Sequence, residues 1–265
     1  MTITDTPAPV LPAEWEPQDA IILAWPHERS DWLPLLADIR KTYLELIKQI
    51  TRFEAIILFI PSEKAFAAIK SLLRQNQIKL EKITPVYADY NDTWLRDTGP
   101  LSLRTDHGIQ HIDYRFNGWG NKFEYGLDNK LCEPLFMHPA IKKNPAVTSD
   151  IILEGGSIDS DGQATLLTTE PCLLHPSRNP QLSKQDYESL FMSQMGIKKV
   201  HWLQQGEIIG DDTDGHIDML VRFCSTNTIA ISSCPDRNDP HFFTLGKMKT
   251  ELKMSSSVKH CMTRL

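Results

Sequence analysis

AIILAWP at residues 20–26 returns as AIILFIP at residues 55–61. Each is an apolar run of strand length that a proline closes, because proline cannot donate to a sheet ladder. The segment after each run has helical period. Residues 31–50 place Leu36, Ile39, Tyr43, Leu46, Ile47 and Ile50 on one stripe, with Pro34 suited to the first turn. After the second run, Ser62 is placed to cap a helix reaching residue 75, with Phe66, Ile69, Leu72 and Leu73 inward. A strand–proline–helix unit thus occurs twice in the first 75 residues, which points to an internal repeat and to the α/β class.

The same punctuation continues outward. Strands are expected at 86–90, 100–103 and 110–116, and a hairpin over 151–169 turning at Asp159-Ser160-Asp161-Gly162. Residues 183–194 read as a helix, with Ser183 and Asp186 in capping-box spacing and Gly196 as the stop. Strands are expected again at 199–203, 219–223 and 228–232. A last helix opens at Asp239-Pro240 and runs to 253, with Phe243, Leu245, Met248 and Leu252 inward. No linker or low-complexity stretch divides the chain, so residues 1–265 are expected to form a single domain.

Composition narrows the function. The net charge is −6, from 34 acidic and 28 basic residues, which disfavours nucleic acid as a partner and suits a cationic or neutral ligand. No apolar run approaches a membrane span, and MTITDTPAPVLPAEWEP has neither a basic nor an apolar leader region. Five scattered cysteines without a CxxC pair favour a reducing compartment over a disulfide framework or a thiolate zinc site. The expected location is the cytoplasm.

Four polar clusters sit where strands end or turn. In NDTWLRDTGP (91–100), Trp94 offers a flat π-face and Asp97 a carboxylate, a pair suited to a planar cation; a charged surface turn is the alternative. In FNGWGNKF (116–123), two glycines flank Trp119, giving a close ligand approach or a sharp turn with a packed ring. In LEGGS (153–157), Glu154 ends an apolar strand, and a carboxylate buried there needs partners. In GEIIGDDTDGHIDMLVRF (206–223), His216 and Asp218 would share one face if a strand begins at that point. That loop is also open to a cation-site reading, although a calcium loop's remaining oxygens and zinc's second histidine are missing. Asp97, Glu154, His216 and Asp218 together make three carboxylates and one histidine. A guanidinium, with five donors in a fixed fork, would bridge such a set, and a cysteine thiolate would be the nucleophile for its carbon.

These stretches, with LPAEWEPQDAIILAWPH near the start, LEGGSIDSDGQATLLTT and the SRNP of residues 177–180, resemble the agmatine deiminase and bacterial peptidylarginine deiminase family of the guanidine-modifying superfamily. They come in the family's order and cover the chain to about residue 253. The resemblance implies a pentein-like α/β propeller of five pseudo-symmetric units around a polar site. It implies that Asp97 and Asp218 bind the guanidinium, that Trp94 flanks it, and that Trp119 lies on the substrate side. Glu154 would orient His216, and His216 would protonate the leaving ammonia and then activate water. No metal or cofactor takes part. The expected partner is a small guanidino molecule, with a second copy of the chain left open. The expected reaction is agmatine to N-carbamoylputrescine plus ammonia; the alternatives are a peptidylarginine deiminase, a non-catalytic guanidinium-binding remnant and a metal-dependent hydrolase built on the 211–218 loop. Family members carry the nucleophilic cysteine in a glycine-rich stretch ending in GGGNIHC. Here Cys261 comes directly after His260 without a glycine run and lies close behind His216. The expectation is therefore a C-terminally incomplete chain that lacks its last propeller unit and the nucleophile segment, is poorly soluble and is inactive.

Overall fold

A computed structural model describes residues 8–254 and the backbone of residues 259–264. The chain divides into two compact units. Unit one comprises residues 1–16, 100–123 and 144–265; unit two comprises residues 17–99 and 124–143.

Unit two contains the repeated apolar runs. β1 (Ala20–Ala24), β2 (Ala55–Ile60) and β3 (Ile83–Tyr87) form a parallel sheet in the order β1-β2-β3. The central β2 is apolar throughout because both of its faces are covered. Ile56, Leu58 and Ile60 pack with Ile47 of α1 (Leu36–Ile50) and with Phe66, Ile69 and Leu73 of α2 (Glu63–Gln75). Ile57 and Phe59, on the opposite face, pack with Val86, Tyr90, Leu131 and Leu135. Burying each such side chain contributes roughly 1.5–3 kcal/mol. Ser62 caps α2 as expected, its hydroxyl accepting from Ala65 N at 3.1 Å. The third strand lies three residues earlier than residues 86–90, with Ile83 buried in the cluster on one face of the sheet and Val86 in the cluster on the other.

Unit one holds three sheets of one pattern. β4 (Leu101–Thr105) and β5 (Gly108–Arg115) are antiparallel, and β6 (Ala146–Ile152) adds parallel to β5. β7 (Ile158–Ser160) and β8 (Thr165–Thr169) form a hairpin, and β9 (Lys199–Leu203) adds parallel to β8 after α3 (Lys184–Met195). β10 (Val221–Ser225) and β11 (Thr228–Ser233) repeat it, with β12 (Lys259–Arg264) parallel to β11 after α4 (Phe242–Met254). The Ser183 capping box closes α3 at its start, and Gly196 ends it with φ 67°.

Several expectations require correction. The run IILEGGSI is not one arm of a hairpin. Its Ile151 and Ile152 end β6, a 3₁₀ turn comes next at Gly155–Ser157, and Ile158 begins a different sheet. Residues 217–220 are not the start of a strand but a single helical turn, Ile217–Leu220, and β10 begins only at Val221. Phe243, expected inward, is 71% exposed, while Leu245, Met248 and Leu252 are buried. Leu46 and Leu72 also face outward, because the stripes of α1 and α2 turn Ile47 and Leu73 to the sheet. Among the described residues no helix is long and apolar enough to cross a membrane.

Candidate functional site

The candidate side chains of unit one stand in the segments between strands. Glu154 occupies the crossover between β6 and β7 and is fully buried. Its carbonyl accepts from the hydroxyl of Ser157 at 2.6 Å and from the Ser157 amide at 3.1 Å, which fixes the backbone below the carboxylate. Both carboxylate oxygens accept from Arg178 Nε, at 2.9 and 3.0 Å. The far edge of the same guanidinium donates to Asp214 Oδ2 at 2.8 Å and to the Thr213 carbonyl at 3.0 Å. The other oxygen of Asp214 accepts from Lys122 Nζ at 2.6 Å, and Lys122 also reaches the Asp212 carbonyl at 2.7 Å. Burial works against the charge of Arg178, but the neighbouring Cys172 and Glu154 hold it protonated. Burial likewise opposes the charge of Asp214, and the bonds from Lys122 and Arg178 overcome it, holding its carboxyl below the usual range.

The loop that carries His216 is built from its own side chains. Asp211 accepts from the Thr213 amide at 2.8 Å, from the Thr213 hydroxyl at 2.5 Å and from the Gly215 amide at 2.7 Å. The His216 amide donates to the Thr213 hydroxyl at 3.1 Å. Thr169 at the end of β8 holds the Gly215 carbonyl at 2.7 Å. Gly215 has φ +90°, and a Cβ there would lie 2.7 Å from the Gly206 carbonyl, so only glycine lets the two strands of the loop come this close. His216 then caps the turn Ile217–Leu220 and is buried. Burial lowers the pKa of its imidazole and Arg178 adds to the shift, while Glu154, Asp218 and Asp211 pull it upward. Asp218 is half-buried in the same turn. The acidic loop therefore spends Asp211 and Asp214 on donors of the protein itself, which is a poor arrangement for a bound cation.

Glu154, Cys172 and His216 each bring one ligand-type atom to within 4.8 Å of the others, and all three are buried. These are metal-ligand types. Arg178, however, already takes both Glu154 oxygens and sets a full positive charge against the cluster, which works against a second cation. What the arrangement can do is move a proton, because a buried imidazole beside a fixed carboxylate can exchange one between its neutral and charged forms.

The segment at Trp119 is strained. Gly118, Trp119, Gly120 and Asn121 all have positive φ, at 64°, 53°, 86° and 66°. For a bulky residue such as Trp119 this region is costly, on the order of 1–3 kcal/mol. The turn is held by Asn121 N to Asn117 O at 2.7 Å and Lys122 N to Gly118 O at 3.0 Å. The Trp119 ring is buried edge-on to Phe116 and Phe123, with centroids 4.9 and 5.5 Å away. Asn117 Nδ2 donates to the Ser177 carbonyl at 2.8 Å, so the turn is bound to the segment that carries Arg178.

Unit two carries the other two expected residues. Trp94 is 46% exposed, lies against Trp32 with ring centroids 5.9 Å apart and 30° between the planes, and donates to Asp92 Oδ2 at 3.3 Å. Asp97 is buried in the turn Leu95–Thr98. Behind this loop, Asp128 accepts from the Asn91 amide at 2.6 Å and the Asp92 amide at 3.2 Å, while Asn91 Oδ1 accepts from the Leu127 amide at 2.8 Å and the Asp128 amide at 3.2 Å. Burial pushes the Asp128 carboxyl up to about 6.

The family profile described as Porphyromonas-type peptidyl-arginine deiminase matches residues 10–264. The chain belongs to this deiminase family. A protein of Pectobacterium atrosepticum is 34% identical over 239 residues, which cover 88% of this chain and 62% of that relative, so the chain spans less than two thirds of the relative's length. The agmatine deiminase of Stutzerimonas stutzeri is 31% identical, over 91% of this chain and 66% of its own. Among solved structures, a cysteine-to-serine variant of C. jejuni agmatine deiminase with substrate bound matches all of this chain and 76% of its own, with TM-score 0.90 and 36% identity. The agmatine deiminase of Enterococcus faecalis matches 99% of this chain and 73% of its own, with TM-score 0.84 and 28% identity.

In this family member the resemblance pairs Glu154 with His216, and the motifs do not indicate what joins them. Arg178, Lys122 and Cys172 have no role in the reading from sequence, and Asp214 enters it only through the cation-loop alternative, although Arg178 lies inside the SRNP stretch that carries part of the resemblance. One signal was available. A buried glutamate at a strand end requires a cation or several donors, and an arginine in a conformationally restricted N-P turn is a natural supplier.

Proposed function

We propose that the chain carries the guanidinium-binding and acid/base parts of a deiminase that hydrolyses agmatine to N-carbamoylputrescine and ammonia. The observation that carries this reading is the fully buried Glu154 carboxylate within 4.8 Å of the buried His216 ring. Asp97 and Asp218 take the guanidinium N–H groups, and Trp94 and Trp119 flank the ligand. In the first step a cysteine thiolate bonds to the guanidinium carbon. The C–N bond breaks, and protonated His216 gives its proton to the leaving ammonia. In the second step neutral His216 takes a proton from water as the water oxygen attacks. The C–S bond breaks and returns the thiolate, leaving the ureido product. Glu154 fixes the ring through both steps. Burial holds the imidazole toward the neutral form that the second step uses, while Glu154, Asp218 and Asp211 pull it back toward the protonated form that the first step uses.

The architecture we infer around this site is the pentein-like propeller of five pseudo-symmetric units, of which the described residues supply four sheets. Its support is the repeated hairpin-plus-parallel-strand pattern of three sheets and the all-parallel sheet of unit two. The side chain of Cys261, which lacks the family's glycine-rich context and is not taken as the family nucleophile, lies outside the described residues.

Two measurements test the function. Calorimetric titration of agmatine into the chain is expected to show saturable binding that weakens at least tenfold in Asp218→Asn and Asp97→Asn, from loss of a charge-assisted bond. Absence of saturable binding at millimolar agmatine would sink the reading. Ammonia release, measured with and without Cys261→Ala, reports turnover and its thiol. The same assay with benzoyl-arginine amide separates agmatine from the peptidylarginine class that the family description names.

A further inference from the structure

We propose that Arg178 is the positioning residue of the acid/base site: its guanidinium holds Glu154 by both oxygens and, with its other edge, holds the Thr213–Asp214 loop from which His216 hangs. The inference rests on the reading of Glu154 and His216 as the proton-transfer pair.

Every nitrogen of the guanidinium is used. Nε alone serves both oxygens of Glu154, at 2.9 and 3.0 Å. That leaves the two terminal nitrogens for the loop, one on Asp214 Oδ2 at 2.8 Å and one on the Thr213 carbonyl at 3.0 Å. A lysine could not make this span, because its three donors radiate from a single nitrogen. Thr213 is the relay. Its carbonyl is held by Arg178, and its hydroxyl accepts the amide of His216 at 3.1 Å. A shift of Thr213 therefore shifts the residue that carries the imidazole. Lys122, from the strained turn at Trp119, braces the same point through Asp214 Oδ1 and the Asp212 carbonyl. Each oxygen of Glu154 retains a second lone pair after binding Arg178, so the carboxylate still has acceptor capacity for the ring beside it. One arginine thus sets the distance between the carboxylate on the β6–β7 crossover and the histidine on a loop about 60 residues later in sequence. The charged groups that face His216 are Glu154, Asp218 and Asp211 on the acidic side and Arg178 on the basic side, with the Cys172 thiol adjacent.

The test uses the full chain, histidine-labelled for NMR, with amide hydrogen exchange on the same samples. The variants are Arg178→Met, Arg178→Lys and Asp214→Asn. Asp214→Asn cuts only the loop side of the contact and carries the test if Arg178→Met does not fold. In Arg178→Met and Asp214→Asn, the amides of Thr213, Gly215 and His216 are expected to exchange on the order of ten- to a hundredfold faster, as for a lost hydrogen bond to a charged group. The amides of β2 in unit two are expected to keep their native protection. The His216 ring is expected to titrate at higher pH in Arg178→Met, where a facing positive charge is removed. Arg178→Lys keeps the charge without the fork, so it is expected to retain the native titration more closely while leaving the loop amides fast. Native exchange at residues 213–216 in a folded Asp214→Asn chain would overturn the proposal. So would full restoration of loop protection by Arg178→Lys, or acceleration by the same factor throughout the chain. Agmatine added to the native chain keeps the two readings apart. A His216 resonance that ignores agmatine removes the deiminase reading and leaves the loop result standing.

Discussion

Carboxylates organise two loops of this protein by opposite means. In unit one, Glu154 and Asp214 meet a guanidinium and an ammonium, and the acid of Asp214 is strengthened although it is partly buried. In unit two, Asp128 pins the loop of Trp94 and Asp97 using only neutral amides and Asn91, and burial weakens its acid to about 6. Amide donors satisfy a carboxylate's hydrogen bonds without cancelling its charge, whereas a guanidinium does both. The first loop is therefore a fixed ionic knot at any physiological pH, and the second is a clamp whose charge state changes within it.

The largest expected effect comes from cutting the ionic knot. Arg178→Met leaves Glu154 buried and uncompensated, and urea unfolding is expected to show a loss of about 3–5 kcal/mol. A loss under about 1 kcal/mol would mean that Glu154 takes up a proton at little cost and that the two loops differ less than their partners suggest.

The clamp is expected to respond to pH where the knot does not. The folded pKa of Asp128 lies above its unfolded value of roughly 3.9, so its contribution is fully present below that value and lost as pH rises through about 6. Asp128→Asn removes the titration. Relative to that variant, the native chain is expected to gain on the order of 2–3 kcal/mol between pH 7 and pH 4, read from paired unfolding curves. A difference that stays flat with pH would show that the amides of Asn91 and Asp92 stabilise the carboxylate as well as a cation would.

Backbone geometry offers an intermediate test. Gly120 has φ +86°, and a Cβ there would stand 2.2 Å from the Ser177 hydroxyl, beside the segment that carries Arg178. Gly120→Ala is expected to cost about 1–3 kcal/mol in thermal unfolding and to loosen the knot. The smallest effects are the controls. Ser62→Ala in unit two and Ser183→Ala in unit one each remove a helix cap, and each is expected to cost about 1 kcal/mol by melting temperature. Unequal costs would show that the two units do not report stability on the same scale.

Local elements were the most legible in the sequence. The repeated AIIL runs, the Ser62 cap and the Ser183-to-Gly196 helix arise from side-chain period and from capping chemistry that acts within four residues. Glu154 was legible as a candidate because a charged group at the end of an apolar strand is an anomaly wherever it occurs, and His216 because an imidazole among clustered aspartates is another. The split of IILEGGSI between two sheets was not legible, because strand partners are chosen by segments far away in the chain. Nor was the helical turn after His216, where Ile217 and Leu220 are buried three residues apart within a run that also fits alternation.

The sequence by itself determined the α/β class, the order of its apolar and helical segments, the family, and the residue types available for chemistry on a guanidinium. Only the tertiary structure decided that Arg178 compensates Glu154, and that Thr213 links this ion pair to His216. The physical reason is one of range. Period and capping are written in neighbours along the chain. A buried charge must instead find its partner in space, and here that partner lies 24 residues away for Glu154 and 36 residues away for Asp214.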